Sequence, residues 1–130
     1  MNVNKRYLKN FALFLWQLPQ NILGILIKII TKVELTEKYS FKVYHWKLNG
    51  GISLGNYIFI NKDSTLTTAL HEKGHQKQSL YLGWLYLIII GLPSIIWATL
   101  KTLGLFSNVS YYKFYTEAWA DKLSNIKRTE

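Results

Sequence analysis

The apolar stretch from Ser79 to Phe106 most constrains how this chain can fold, because it separates two short polar patterns that belong together. Before it stands His71-Glu72-Lys73-Gly74-His75, and after it Tyr115-Thr116-Glu117-Ala118-Trp119-Ala120-Asp121. In each pattern two residues able to ligate a metal stand four positions apart, so on a helix they share a face. A single bilayer crossing by the intervening stretch would leave the two faces on opposite sides and keep them from meeting. The chain must therefore turn back, and Gly91-Leu92-Pro93 is the natural place, because glycine ends helices and proline starts them. Two arms of about a dozen residues, each too short to span alone, predict a helical hairpin over 79–106 that dips into one leaflet or is buried in protein. A soluble core hairpin is the other arrangement that a 49% apolar composition allows.

The residue types in the two patterns point to metal chemistry. Imidazole suits Zn²⁺, and His71 and His75 project from one helix face one turn apart. Glu72 lies about 100° round the axis from His71, placed to exchange a proton with water beside the metal without displacing a ligand. A catalytic zinc takes three protein ligands and keeps an open position, so a third must come from elsewhere. Glu117 can supply it. Asp121, on the same face, can accept the free N–H of a ligating histidine and so fix its tautomer and ring orientation.

With H-E-x-x-H on one helix and E-x-x-x-D on a later one, the chain resembles the gluzincin metallopeptidases. Glu117-Ala118-Trp119-Ala120-Asp121 is most similar to the E-x-x-A-D helix of the membrane-bound HtpX and CAAX-protease type, while thermolysin-like enzymes share the wider spacing. The resemblance implies His71, His75 and Glu117 as zinc ligands, Glu72 as general base and acid, and Asp121 behind a ligand. The chain is much shorter than those enzymes, and no motif matches the cationic or tyrosine group with which they stabilise a tetrahedral oxyanion. Gly50 to Gly55, reading Gly-Gly-Ile-Ser-Leu-Gly, resembles a stretch that precedes the zinc helix in small bacterial zincin-like proteins.

Between the apolar stretches, Phe41 to Leu48 and Ile52 to Asn61 are rich in β-forming residues and flank the turn signal Asn49-Gly50-Gly51, which predicts a β-hairpin. In gluzincins an edge strand beside the zinc helix aligns an extended peptide, and Ile52 to Ile60 is the nearest counterpart. Asp63 or Ser64 is expected to cap the helix that carries His71. For the oxyanion or the substrate, the candidates are Tyr111, Tyr112 and Tyr115, a turn or so before Glu117, and His45, the remaining histidine. A lone strand histidine is more often a packing residue, and tyrosines near a membrane are usually interfacial anchors.

The first apolar stretch, Leu8 to Ile30, contains no acidic residue; Lys5, Arg6 and Lys9 lie at its start and Lys28 and Lys32 at its end. Its polar centre, Gln17-Leu18-Pro19-Gln20-Asn21, argues against a simple lipid-exposed helix, because freed backbone and amide groups need partners in hydrocarbon. A signal peptide fits poorly: the apolar part is too long and no small-residue cleavage site follows. A kinked or paired membrane-anchored helix is the expectation, with an amphipathic helix packed on a soluble core as the alternative. The absence of cysteine excludes disulfides and thiolate zinc sites. A net charge of +9 with scattered lysines and no nucleic-acid motif favours anionic lipid over nucleic acid as the counter-charge.

The sequence thus predicts an α+β protein. Its residues 1–33 would form a hydrophobic membrane segment, and 34–130 a mainly helical, minimal zincin-like unit with a small β-hairpin and the apolar helical hairpin 79–106. The expected activity is that of a zinc metalloendopeptidase acting on a peptide or protein at or in a membrane, with anionic lipid as its second partner. A bacterial inner membrane is the expected location, with the site on the cytoplasmic side by the distribution of lysine and arginine. The alternative is a non-catalytic, metal-stabilised membrane protein such as an adaptor or membrane-active protein.

Overall fold

The computed structural model describes residues 2–129. Helices α1 (Val3–Trp16) and α2 (Leu18–Ile30) meet at a bend of 89°, where Gln17 separates them and Pro19 opens α2. A proline in the first helical turn gives up an N–H that has no partner there anyway, so the corner costs little. The expected kink is present.

Four strands follow: β1 (Glu34–Thr36), β2 (Val43–Trp46), β3 (Gly51–Leu54) and β4 (Tyr57–Asn61). They form one mixed sheet in the order β1-β2-β4-β3. The expected hairpin of 41–48 with 52–61 does not form. The antiparallel hairpin is β3 with β4, closed by Gly55-Asn56, whereas β2 runs parallel to β4 with Tyr44 opposite Phe59. Gly55, at φ +63°, takes the first position of a two-residue turn, where a positive φ suits tight hairpins. Asn49-Gly50 instead serves the crossover that swings β3 to the free edge. Strand β1, which pairs antiparallel to β2, carries too few β-forming residues to be legible in sequence.

Alternation along β4 assigns the faces of the sheet. Ile58 and Ile60 are fully buried with Val43 against Ala69 of helix α3 (Leu66–Leu82), each isoleucine contributing about 1.5–3 kcal/mol of apolar burial. Tyr57 and Phe59 point the other way and join Tyr44 and Trp46 in an aromatic cluster, with Lys28 of α2 over the Tyr44 ring. Helix α2 approaches closely here: a Cβ on Gly24 would fall 2.6 Å from the Tyr57 ring.

Helix α3 begins at Thr65, whose hydroxyl accepts from the Thr68 N–H at 3.3 Å; Asp63 and Ser64 are instead taken up in a turn governed by Asn61. The chain reverses after α3 at Gly83–Leu85 and not at Gly91-Leu92-Pro93 as the sequence suggested. Gly83 has φ +55°, and a Cβ there would lie 2.4 Å from the Trp16 ring, so the corner fits only a glycine. The indoles of Trp16 and Trp84 fasten it by donating to the Leu80 and Leu15 carbonyls. From Leu87 the chain stays helical through a wide turn (Leu87–Gly91) into α4 (Leu92–Thr102), with a bend of 119° from the preceding helix. Pro93 therefore sits inside a continuous helical run. Lacking an N–H, it leaves the Ile89 carbonyl without its ordinary donor four residues on, and the Tyr115 hydroxyl donates to that carbonyl at 2.6 Å. Helix α5 (Tyr115–Leu123) closes the fold against α3.

Among the described residues no single helix is long and apolar enough to cross a membrane; only the two bent pairs, α1 with α2 and α3 with α4, reach that length together. The polar centre of the N-terminal stretch finds most of its partners inside the protein, with Gln20 Oε1 left without one among the described residues. Gln20 donates to Ser79 Oγ and the Gly83 carbonyl at 2.8 and 2.9 Å. Ser79 in turn donates to Gln17, and Asn21 accepts from the Asn56 N–H at 2.7 Å while donating to the Phe14 carbonyl.

Candidate metal centre

Helix α3 has no apolar stripe. Its buried face is made of Ala69, His71, Glu72, Gly74, His75, Gln78 and Ser79, so what it packs must offer polar partners or very close backbone contact. Helix α5 offers both. A Cβ on Gly74 would stand 2.1 Å from the Ala120 carbonyl oxygen, so the two backbones touch at this glycine. Glycine inside a helix costs about 1 kcal/mol relative to alanine, and the approach of α5 is what it permits. Glu117 and Asp121, flanking Ala120 on the same face, are thereby pressed onto the histidines.

The three expected ligands converge. His71, His75 and Glu117 are all buried, with one ligand atom from each within 4.8 Å of the others. His71 Nε2 lies 3.5 Å from Glu117 Oε1, and His75 Nε2 lies 3.2 Å from Glu117 Oε2. Each ring is fixed from behind. His71 Nδ1 is 2.7 Å from Asp121 Oδ1, and His75 Nδ1 is 2.6 Å from Gln78 Oε1. Gln78 is held in that sense because its amide nitrogen donates to the Thr116 carbonyl at 2.8 Å. An aspartate carboxylate and an amide oxygen both require Nδ1 to carry a proton, which turns Nε2 of each ring toward Glu117. Two imidazole nitrogens and a carboxylate, converging in one buried place, make a donor set that could hold a metal ion and is of the type zinc takes. The fit has a second mark: His71 Nε2 is buried with no hydrogen-bond partner among the described residues.

Charges follow from this packing. Burial alone would push the Glu117 carboxyl up, yet the imidazoles of His71 and His75 against it hold it well below the usual carboxylate range. Burial would likewise depress His75, but the bond to Glu117 and the charges of Glu72 and Glu117 outweigh it and raise the imidazole to about 9. Asp121 is lowered, its burial outweighed by Arg128 and His71. Glu72 moves the other way. Burial raises it, with Glu117 adding to the effect, and the histidines only partly oppose the shift. Its Oε2 is buried without a hydrogen-bond partner among the described residues, and Gly51 of β3 packs on its side chain, where a Cβ would be 3.0 Å away.

The remaining candidates separate. Tyr111 faces Glu117, and burial raises its hydroxyl well above the ordinary value, with the Glu117 charge adding. Tyr112 makes a T-shaped contact with the His71 ring at 5.3 Å between centroids and has the Arg128 guanidinium 3.3 Å over its own ring, so it packs against that imidazole. Tyr115 is half-exposed and spends its hydroxyl on Ile89. His45 lies on β2 opposite Ile60 and lines neither of the cavities that reach Glu72.

Four residues that sequence reasoning missed complete the site. Gln78 was legible, standing three residues after His75 on the same helix face. Ser94 and Thr116 donate to Glu117 Oε2 at 3.2 and 2.9 Å. Arg128 makes a two-pronged contact with Asp121 at 2.6 and 3.0 Å. The chain brings Arg128 back after α5 through Asn125, at φ +55°, with the Ile126 N–H bonded to the Asp121 carbonyl. Nothing in the local sequence announces that contact. Comparison of the chain with protein-family models, with curated proteins and with solved structures gave no match.

Proposed function

We propose that the chain is a zinc-dependent peptidase of gluzincin type that works at a membrane face. The observation that carries this reading is the inward convergence of His71 Nε2, His75 Nε2 and Glu117, with Glu72, whose Oε2 has no partner among the described residues, beside them. A zinc ion held by the three would supply Lewis acidity toward a carbonyl oxygen and toward water.

The chain's own groups do the rest. Glu72 takes a proton from the attacking water and passes it to the amine nitrogen as the C–N bond breaks, the water oxygen remaining on the new carboxylate. A buried carboxyl with a raised pKa suits this shuttle, because it binds the proton firmly enough to carry it. Asp121 and Gln78 hold the ligand tautomers, and Tyr111 is the residue placed to donate to a developing oxyanion. The exposed apolar side chains Ile22, Leu26 and Ile29 of α2 and Leu92, Ile95 and Ile96 of α4 support residence at the headgroup boundary of a bilayer. Scattered lysines would meet anionic headgroups there.

Metal analysis of the purified chain should find one zinc per molecule, and Glu72→Gln should keep the zinc and the fold while hydrolysis of a peptide library in detergent falls by about two orders of magnitude or more. Cleavage by Glu72→Gln at the parent rate removes Glu72 as the base. A non-catalytic, metal-stabilised role is the second reading, favoured by the depth of the ligands, which are only 2–5% exposed. It predicts zinc-dependent stability with no cleavage by the parent protein.

A further inference from the structure

We infer that the site takes a peptide whose apolar and polar stretches meet at the bond that is cut, an inference that rests on the peptidase reading above. Two cavities share Glu72 in their linings. One, of about 700 Å³, is lined by polar groups including Asn49, Ser64, Thr68 and Thr102, together with His71. The other, of about 410 Å³, is lined by Ile27, Ile52, Leu54, Leu87, Leu92 and Ile95 among others, together with His75 and Glu117. Gly51, Glu72, Ala98 and Tyr111 belong to both linings, so the base and the candidate metal ligands stand between an apolar chamber and a more polar, mixed one.

A chain lying across Glu72 has one side in each chamber. Polar side chains placed in the apolar chamber would lose water without gaining partners, and that cost selects an apolar stretch for that side. A volume of this size accommodates a bulky side chain or two. The chamber also opens where such a stretch would come from. Leu23, Leu92 and Ile95 line it and are themselves 41%, 58% and 56% exposed, which places its mouth on the apolar face shared by α2 and α4. Within the chamber, Ser53 is only 3% exposed, and its buried Oγ has no hydrogen-bond partner among the described residues. Its backbone is fixed, since the Tyr86 hydroxyl donates to the Ser53 carbonyl at 3.0 Å. Ser53 thus offers one unused hydrogen bond to the main chain of an otherwise apolar guest.

The test uses the full chain, zinc-loaded, in non-ionic detergent. Binding is read by fluorescence anisotropy in the Glu72→Gln background with two labelled peptides of equal composition. One joins a leucine and phenylalanine run to a serine and asparagine run, and the other alternates the same residues. The block peptide should bind at least about tenfold tighter than the alternating one, a difference of about 1.4 kcal/mol. Adding Ile95→Lys at the exposed mouth should abolish that preference while zinc content stays the same. Equal affinity for the two peptides overturns the inference, and so does a preference that survives Ile95→Lys, because it would come from the micelle. Mass spectrometry of the same peptides after incubation with the parent protein separates the two readings. A cut at the junction supports both, and a cut elsewhere overturns the junction while leaving the peptidase. Preferential binding of the block peptide without any cut overturns the peptidase and leaves the two-chamber site standing.

Discussion

The α3–α5 pair and the α1–α2 corner both bury polar side chains, yet they do so to opposite ends. At the corner, Gln17, Gln20, Asn21 and Ser79 donate and accept among themselves and with nearby carbonyls, and only Gln20 Oε1 is left over. Between α3 and α5 the outer nitrogens of the histidines are satisfied just as well, but His71 Nε2 and Glu72 Oε2, whose residues line one cavity, are left without hydrogen-bond partners among the described residues. Burying an unpaired polar group costs about 1–3 kcal/mol, and two such atoms in the wall of one cavity support the proposal of a bound group there.

The sharpest way to break this contrast is to remove the convergent atoms. His71→Ala with His75→Ala should abolish stoichiometric zinc binding, measured by elemental analysis, while the far-ultraviolet circular dichroism of the helices persists. Zinc retained at one per chain would show that the convergence is not a metal site. Almost as damaging should be Gly74→Leu, which drives a side chain into the Ala120 carbonyl and separates the helices. A loss of about 1–3 kcal/mol from overpacking is expected along with zinc affinity, and an unchanged zinc dissociation constant would mean that the α3–α5 contact does not set the ligands.

Next in size come the groups behind the ligands. Asp121→Ala should weaken zinc by roughly 10–100-fold, and Gln78→Leu by a similar or smaller factor, because each frees an imidazole to rotate or change tautomer. Competition titration with a chromophoric chelator measures both, and affinities equal to the parent's would count against the assigned tautomers. At the corner the expected effects fall on stability alone. Asn21→Ala removes the acceptor of the Asn56 N–H and should cost about 1–3 kcal/mol in denaturant unfolding, with the zinc dissociation constant unmoved. A shift in zinc affinity as large as that of Asp121→Ala would erase the distinction between the two regions.

Much of the site was legible without coordinates because helical spacing is a local property. Four-residue intervals put His71 with His75 and Glu117 with Asp121 on single faces wherever those helices lie, and the same rule reaches Gln78 from His75. The requirement that the chain turn back between the two patterns was also a matter of sequence, and the kink at Pro19 followed from proline's missing N–H. The α+β character was there in the β-forming residues between the helices.

Where the chain turns, and which strand pairs with which, was decided elsewhere. The reversal fell at Gly83 because the Trp16 ring fills the space beside it, a contact between residues far apart in sequence. Pro93 could stay inside a helical run because Tyr115, from another helix, supplies a donor to the Ile89 carbonyl. The parallel pairing of β2 with β4 depended on both faces of the sheet being covered, by α3 on the isoleucines and α2 on the aromatics. Arg128 found Asp121 only through the left-handed turn at Asn125. Sequence fixes what adjacent residues present on one element, since that geometry is set by the backbone itself. Which elements meet depends on burial and hydrogen bonding summed over distant parts of the chain, and only the folded structure resolves that sum.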